Sequence, residues 1–456
     1  MTPFALRSTR VVQTPASGSG GQVGPAVISI GADGRIQAVG ASIDDRPLRD
    51  MGDRVISPGI VDCHVHVNEP GRTDWEGYET ATRAAAAGGV TSVVDMPLNC
   101  IPVTTSGPAL AEKLAACRGK CCVDMGFWGG VVPGNAAELS ALAEGGVLGC
   151  KAFMVHSGID EFPNATREDL ARAMPILARA GLPLLAHAEL DLGASVSVGD
   201  PREYRGYLES RPPSWEDAAI GMLIELCRET GCHVHVVHLS AASSLPQLRA
   251  AKAEGLPISV ETCPHYLCLD AESIPDGATL FKCAPPIREK ENQEALWRGL
   301  FDGSIDFVIT DHSPCTPQLK QLERGHFHDA WGGIASLQLG LSTIWTHARP
   351  RGASLLDLAR WMSVNPARFA GLDGKKGRIA PGHDADLVIW DPDGAFTLQP
   401  EQLFFKHRVS PYLGMRLEGR VFSTLLRGVE VFDGVGFPAG AAGQLLLGRG
   451  AALGRG

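Results

Sequence analysis

Between about residues 57 and 375, the chain alternates short apolar runs with longer stretches rich in Ala, Leu, Glu and Arg. The short runs have the length and composition of buried strands. The longer stretches contain good helix formers and have Gly or Pro at their ends. We predict strands at 60–66, 90–96, 125–132, 146–153, 182–187, 233–239, 257–262 and 305–310, and helices at 77–87, 108–116, 167–180 and 215–229.

Strands that alternate with helices are typical of parallel βα units. Eight such units predict an α/β fold, a closed (β/α)8 barrel of the TIM type over residues 57–375, whose strands carry the chemistry at their C-terminal ends. The two chain ends instead have the pattern of strands joined by turns such as Asp33-Gly34. We predict that 1–56 and 376–456 form one small β-domain, which begins with a strand within 1–10 and is weakly ordered beyond Leu447.

Composition narrows the classes of function. The formal net charge of −10 over 456 residues argues against a nucleic-acid-binding protein and against a polybasic membrane surface. No run of about 18 apolar residues occurs, and the first residues lack the apolar core of a secretory signal. Twelve scattered cysteines without a CxxC pair are predicted to be reduced thiols. We therefore expect a cytoplasmic protein, with an organellar location left open.

Two histidines, His64 and His66, stand at the end of the first predicted barrel strand. Successive side chains of a strand alternate, so these two imidazoles point to the same face, roughly 6 to 7 Å apart along the strand. That geometry suits two ligands of one metal ion. Packing or surface exposure is the alternative for the pair taken alone.

Further polar residues end other predicted strands. His187 and His238 end strands five and six, and Asp311 ends strand eight, where an unpaired carboxylate would be costly without a cation or a donor. His187 alone could be a buried core histidine. In strand six, alternation puts His233 and His235 on one face and His238 on the other, and only His238 lies near the rim. We therefore predict His238 as the ligand and the other two as packing or supporting groups.

Lys151 lies within the fourth predicted strand, where burial of an ammonium is expensive. Its pKa should fall and leave a neutral amine, which can react with CO2 to form a carbamate with two oxygens. A lysine that reaches out to a surface carboxylate is the alternative. The six groups exceed the three protein ligands of a typical single catalytic zinc. Two ions about 3.5 to 4 Å apart, bridged by the carbamate and a hydroxide, would use them all.

Long motifs then resemble a known family. The chain resembles the cyclic amidohydrolases of the dihydroorotase and hydantoinase superfamily, and among them most closely the allantoinases, which open the hydantoin ring of allantoin to give allantoate in purine catabolism. The resemblance runs from 57–59 to 406–412 and is carried by 64–72, 75–80, 95–99, 261–266, 282–288, 311–315 and 331–334. It implies that His64, His66, Lys151 as N6-carboxylysine, His187, His238 and Asp311 bind metal.

The resemblance also bears on the substrate. Dihydroorotases have an arginine at the position of Asn68 to pair with the substrate carboxylate, a charge-assisted contact that an amide cannot replace. Allantoin has no carboxylate. Asn68, Asn99 and Ser313 are candidate substrate contacts, and His265 and Glu189 are possible partners of the ligand imidazoles.

The predicted reaction is hydrolysis of a cyclic amide, in which Asp311 takes a proton from water and delivers it to the departing ring nitrogen. Two divalent ions per chain are expected, most simply Zn2+, with Co2+, Mn2+ or Fe2+ as alternatives. The family implies a homo-oligomer, often a homotetramer. The alternatives are a hydantoinase, dihydropyrimidinase or dihydroorotase, and a non-catalytic assembly protein on the same barrel.

Overall fold

A computed structural model describes residues 1–15, 20–41, 46–193, 199–448 and 450. Within this part of the chain the strands are β1 Phe4–Gln13, β2 Gln22–Ile30, β3 Ile36–Gly40, β4 Leu48–Asp50, β5 Val55–Pro58, β6 Ile60–Val65, β7 Val90–Asp95, β8 Asp124–Phe127, β9 Gly129–Gly130, β10 Cys150–Phe153, β11 Leu184–His187, β12 Val234–Val236, β13 Ile258–Thr262, β14 Phe307–Val308, β15 Leu387–Thr397, β16 Arg416–Leu426 and β17 Val429–Phe432.

The α-helices of the described part are α1 Tyr78–Ala87, α2 Gly107–Cys117, α3 Leu139–Gly145, α4 Arg167–Ala180, α5 Tyr204–Glu209, α6 Pro213–Thr230, α7 Leu245–Ala253, α8 Pro264–Cys268, α9 Lys290–Phe301, α10 Gly340–Ala348, α11 Leu355–Ala359 and α12 Asn365–Phe369. Local signals set their ends. In α4, the Thr166 side chain accepts from Asp169 N while the Asp169 side chain accepts from Thr166 N, and Gly181 follows in the left-handed conformation.

None of these helices is long and apolar enough to cross a membrane.

The strands β6 to β14 form a barrel of parallel strands. One part has the order β6-β7-β8 and the other the order β14-β13-β12-β11-β10-β9. The third barrel strand is interrupted: β8 pairs with β7, and β9, two residues further on, pairs with β10. A parallel bridge between Val65 and His312, with His66 N donating to His312 O at 2.8 Å, closes the ring between the first and last strands. The (β/α)8 prediction is confirmed.

Several predicted strand ends are wrong. Strand four begins at Cys150 rather than at residue 146, because Gly146, with φ of +95°, ends α3 in the left-handed conformation. Strand eight is reduced to Phe307–Val308 and strand six to Val234–Val236. Apolar composition extends beyond the hydrogen-bonded pairs because the strand ends and their first loop residues are buried as well.

A second sheet combines strands from both chain ends in the order β17-β16-β15-β5-β1-β2-β3, with β4 beside β1. The antiparallel pairing of β15 with β5 joins the C-terminal strands to the N-terminal ones. The predicted small β-domain is therefore present, and the first predicted strand is β1. The domain boundaries themselves stay a prediction.

The segment after β17 packs on the barrel. Leu446 N donates to Met125 O at 2.7 Å and Gly448 N donates to Gly146 O at 2.8 Å, so this segment runs beside β8. Of the segment beyond Leu447, which we expected to be weakly ordered, residues 449 and 451–456 lie outside the described residues.

A buried lysine links the barrel to the second sheet. Lys376 Nζ lies 2.6 Å from Asp124 Oδ2 at the start of β8, 2.7 Å from Asp386 Oδ2 just before β15, and 2.9 Å from Asp384 Oδ2. Burial opposes the charge of Lys376, but the three carboxylates more than offset it and raise its pKa. Lys376 therefore neutralises a cluster that would otherwise repel itself inside the protein.

Replacement of Lys376 by methionine is expected to lower the free energy of unfolding by about 3–5 kcal/mol, because it leaves buried Asp386 without a cation among the described residues, whereas Asp124 keeps Arg427. Urea denaturation followed by circular dichroism measures this. The exposed neighbour Lys375→Met is the control and should stay within about 0.5 kcal/mol of the unmodified protein. Equal stability of the two variants would contradict the role given to Lys376.

Candidate metal centre

One cavity of about 70 Å³ at the C-terminal ends of the barrel strands is lined by all six predicted ligands, His64, His66, Lys151, His187, His238 and Asp311. The cavity has room for a few water molecules. Its wall also includes Asn99, Ser313 and Trp331. Parallel strands end at one rim, which is why residues far apart in the sequence meet there.

His64, His66 and Asp311 form the first group of converging atoms. Asp311 Oδ1 lies 3.2 Å from His64 Nε2 and 3.6 Å from His66 Nε2, and the two imidazole centroids are 5.6 Å apart. Asp311 follows the end of β14 with φ of +44°, a conformation that a non-glycine residue adopts at a cost. The three side chains thus converge in the cavity, and the HxH spacing predicts a shared face for the two histidines.

His187 and His238 form the second group. His187 Nε2–H donates to Glu189 Oε2 at 2.6 Å, which leaves His187 Nδ1 unprotonated, 3.1 Å from His238 Nε2. Burial opposes ionisation of Glu189, but Arg211 and His187 more than offset it and lower its pKa to about 2. Glu189 is therefore a carboxylate that orients His187, in the supporting role predicted for it.

The alternation argument for strand six is wrong in one respect. His235 and His238 both belong to the barrel interior: His235 Nε2 lies 3.0 Å from Glu261 Oε2, and His238 N donates to Glu261 Oε1 at 3.4 Å. Strand β12 ends at Val236, and His238 has φ of +39°, so the alternation of a regular strand no longer applies there. His238 is nevertheless at the cavity, whereas His235 lies deeper, against Phe369.

Glu261, at the fourth position of β13, is a residue of the site that was not predicted from the sequence. Its Oε1 lies 2.5 Å from His64 Nδ1, so His64 Nδ1–H donates to it and His64 Nε2 is left with a free lone pair. Burial raises the pKa of Glu261, and the charge of Lys151 partly opposes this rise. An acidic residue within a buried strand was the signal that pointed to Asp311, and it applied equally to Glu261.

Lys151 is buried in β10, and its Nζ has no hydrogen-bond partner among the described residues. Burial lowers its pKa to about 8, although Glu261 and Asp311 oppose the shift. A neutral amine is therefore accessible near physiological pH. No surface carboxylate pairs with Lys151 in the described part of the chain, which removes the alternative of a lysine that reaches outward.

These residues fit a divalent metal centre. His64, His238 and Asp311 each offer a ligand atom, and the three atoms lie within 4.8 Å of one another. Burial lowers the pKa of His64, His187 and His238, so their imidazoles are neutral, as metal binding requires. His64 Nε2 is buried and has no hydrogen bond to any residue that the structure describes. A mixed set of imidazole and carboxylate donors suits first-row divalent ions.

His265, predicted as a partner of the ligand imidazoles, has a different environment. Neither of its ring nitrogens has a hydrogen-bond partner among the described residues. His265, Cys263 and Asp311 each have one potential ligand atom, and these three atoms lie within 4.8 Å of one another. The structure therefore places His265 beside Asp311 rather than behind an imidazole.

The three predicted substrate contacts differ in position. Asn99 and Ser313 line the cavity, and Asn99 Oδ1 is buried with no hydrogen-bond partner in the described ranges. Asn68, with φ of +68°, is not among the lining residues; its Nδ2–H donates to Pro314 O at 3.2 Å. Asn68 thus connects the loop after β6 to the loop after β14, an arrangement with no local signal in the sequence.

Comparison with known proteins shows the family of this chain. The amidohydrolase family model matches residues 55–431. The chain is 50% identical over 434 residues to an allantoinase of Streptomyces avermitilis, covering 94% of this chain and 95% of the relative. It is 46% identical to the allantoinase of Saccharomyces cerevisiae, covering 88% of each. The structure of an L-hydantoinase (dihydropyrimidinase) from Arthrobacter aurescens aligns with a TM-score of 0.89 at 27% identity, over 98% of this chain and 100% of the other. The chain therefore belongs to the amidohydrolase family and, within it, to the allantoinases.

Proposed function

We propose that this protein hydrolyses the hydantoin ring of allantoin to give allantoate. The observation that carries the proposal is a complete set of six potential ligands in one cavity, in a chain that is similar to allantoinases along nearly its whole length. A non-catalytic assembly protein would have no need to keep this buried and costly group of polar side chains. Allantoin is a small polar ring, in keeping with a cavity whose wall includes the polar side chains of Asn99 and Ser313.

Two divalent ions, most simply Zn2+, would be held by His64, His66, His187, His238 and Asp311, with Lys151, as N6-carboxylysine, serving both. When bound, such ions lower the pKa of water and polarise a carbonyl oxygen. Glu261 and Glu189 hold His64 and His187 in the tautomers that leave a nitrogen free toward the cavity.

Asp311 is proposed as the group that moves the proton. Its carboxylate accepts the proton of the attacking water and delivers it to the ring nitrogen, which cannot leave as an anion. Its Oδ1 lies 3.2 Å from His64 Nε2, so the carboxylate faces the reacting centre. Asn99 and Ser313, on the cavity wall, are proposed to contact the polar ring and the ureido arm. Asn68 stays a prediction, since its amide would have to leave Pro314 O to reach the substrate.

Hydantoinase or dihydropyrimidinase activity is the second candidate, because an L-hydantoinase matches the fold with a TM-score of 0.89. We expect kcat/KM for allantoin to exceed that for hydantoin, dihydrouracil and dihydroorotate by at least about 10-fold each. The four compounds are assayed side by side on metal-loaded protein, with chelator-treated protein as the control. A preference for dihydrouracil or hydantoin over allantoin would overturn the proposed substrate.

We further propose a homotetramer located in the cytoplasm. The oligomer rests on family resemblance, and analytical ultracentrifugation tests it directly. The location rests on the scattered cysteines, all twelve of which are free thiols. A relative from Aquarana catesbeiana, 48% identical over 80% of this chain, bears the name mitochondrial allantoinase, so the organellar alternative stays open.

A further inference from the structure

Trp331 lines the cavity, and contacts of both its ring and its backbone fix its position. Its ring packs edge-on against Trp75, with centroids 4.8 Å apart, and a Cβ at Gly158 would lie only 3.3 Å from the indole. Its backbone is held on both sides, because Trp331 N donates to Leu319 O at 2.8 Å and the Lys320 ammonium donates to Trp331 O at 3.0 Å. The indole therefore occupies one defined position between loops that follow three different strands.

The indole N–H of Trp331 is buried and has no hydrogen-bond partner within the described part of the chain. Other unpartnered atoms among the lining residues include Lys151 Nζ and His64 Nε2, which the metal centre accounts for, and Asn99 Oδ1. The metal explains neither Trp331 Nε1, a donor, nor Asn99 Oδ1, an acceptor. Buried polar groups are costly when unpaired, so this donor and this acceptor point to a ligand that offers both C=O and N–H.

We propose that Trp331 Nε1–H donates a hydrogen bond to the ureido carbonyl of the substrate and thereby selects ureido-substituted hydantoins. This inference rests on the proposed function. Among the described residues, the Trp331 ring packs against Trp75 and lies beside Gly158 and has no ring contact with a ligand imidazole, so we assign the indole to the ureido arm rather than to the reacting amide. A ureido group has both the carbonyl that Trp331 needs and the N–H that Asn99 Oδ1 needs.

The test is Trp331→Phe, which keeps an aromatic ring against Trp75 and removes only the N–H group and part of the indole. We expect kcat/KM for allantoin to fall at least about 10-fold, mainly through KM, while kcat/KM for unsubstituted hydantoin, which has no ureido arm, stays within about 2-fold. Metal content per chain should not change. If hydantoin turns over too slowly, its inhibition constant against allantoin replaces kcat/KM as the second readout.

Trp75→Phe is the matched control, because it alters the same aromatic pair at a residue that does not line the cavity. A purely structural role of the pair would make both variants lose activity on both compounds alike, and that result would overturn the proposal. Unchanged KM for allantoin in Trp331→Phe would overturn it as well. Failure of the proposed function is a separate result, since it would appear as absent allantoin turnover in the unmodified protein.

Discussion

Replacement of Lys151 by alanine is expected to remove the metal ions and with them the activity. Lys151 is the single residue proposed to bridge both ions, and its buried Nζ has no other partner among the described residues. Loss of groups that merely orient metal ligands typically costs about 10–100-fold in affinity, so loss of a bridging ligand should cost at least about 100-fold. Metal analysis of the purified protein, together with allantoin turnover, measures both effects.

The carbamate makes a second, sharper test possible. Apoprotein of the unmodified chain should regain metal and activity only when bicarbonate is present, whereas Lys151→Ala should regain neither. Native mass spectrometry should detect the added mass of one CO2 per chain. If Lys151→Ala kept two ions per chain and full turnover, the proposal that Lys151 bridges the ions would be wrong.

Replacement of Asp311 by asparagine should keep much of the metal and abolish most of the turnover. Five of the six ligands remain, but an amide cannot accept the proton of water or deliver it to the leaving nitrogen, so kcat is expected to fall about 10²–10⁴-fold. Steady-state kinetics with metal analysis of the same sample separates the loss of chemistry from the loss of metal.

Asp306→Asn is the matched control for Asp311. Asp306 lies just before β14 and pairs with Lys252 at 2.7 Å instead of lining the cavity. Its substitution should leave kcat within about 2-fold of the unmodified protein, because its half-buried carboxylate pairs with Lys252 and Val260 N, neither of which lines the cavity. Retention of more than about a tenth of kcat in Asp311→Asn would exclude Asp311 as the proton-transfer group.

Much of the fold was predictable because burial and periodicity are local properties of the sequence. The run that ends in His64 and His66 is buried on both faces, as parallel barrel strands are, and its spacing predicts two side chains on one face. The limits of strands were less predictable. Gly146 precedes an apolar run, so the sequence predicts the start of a strand there. Its left-handed backbone angle instead places it at the end of α3, and no sequence pattern indicates that angle.

The sequence by itself determined the order of the βα units and the residues at their strand ends, because each of these depends on neighbours within a few positions. Only the tertiary structure decided which buried groups face one another. Glu261 contacts His64 across 197 positions of the chain, and Asn68 is turned to Pro314 rather than to the cavity. Contacts of this kind depend on how the barrel closes and on backbone angles after each strand, and neither leaves a local pattern in the sequence.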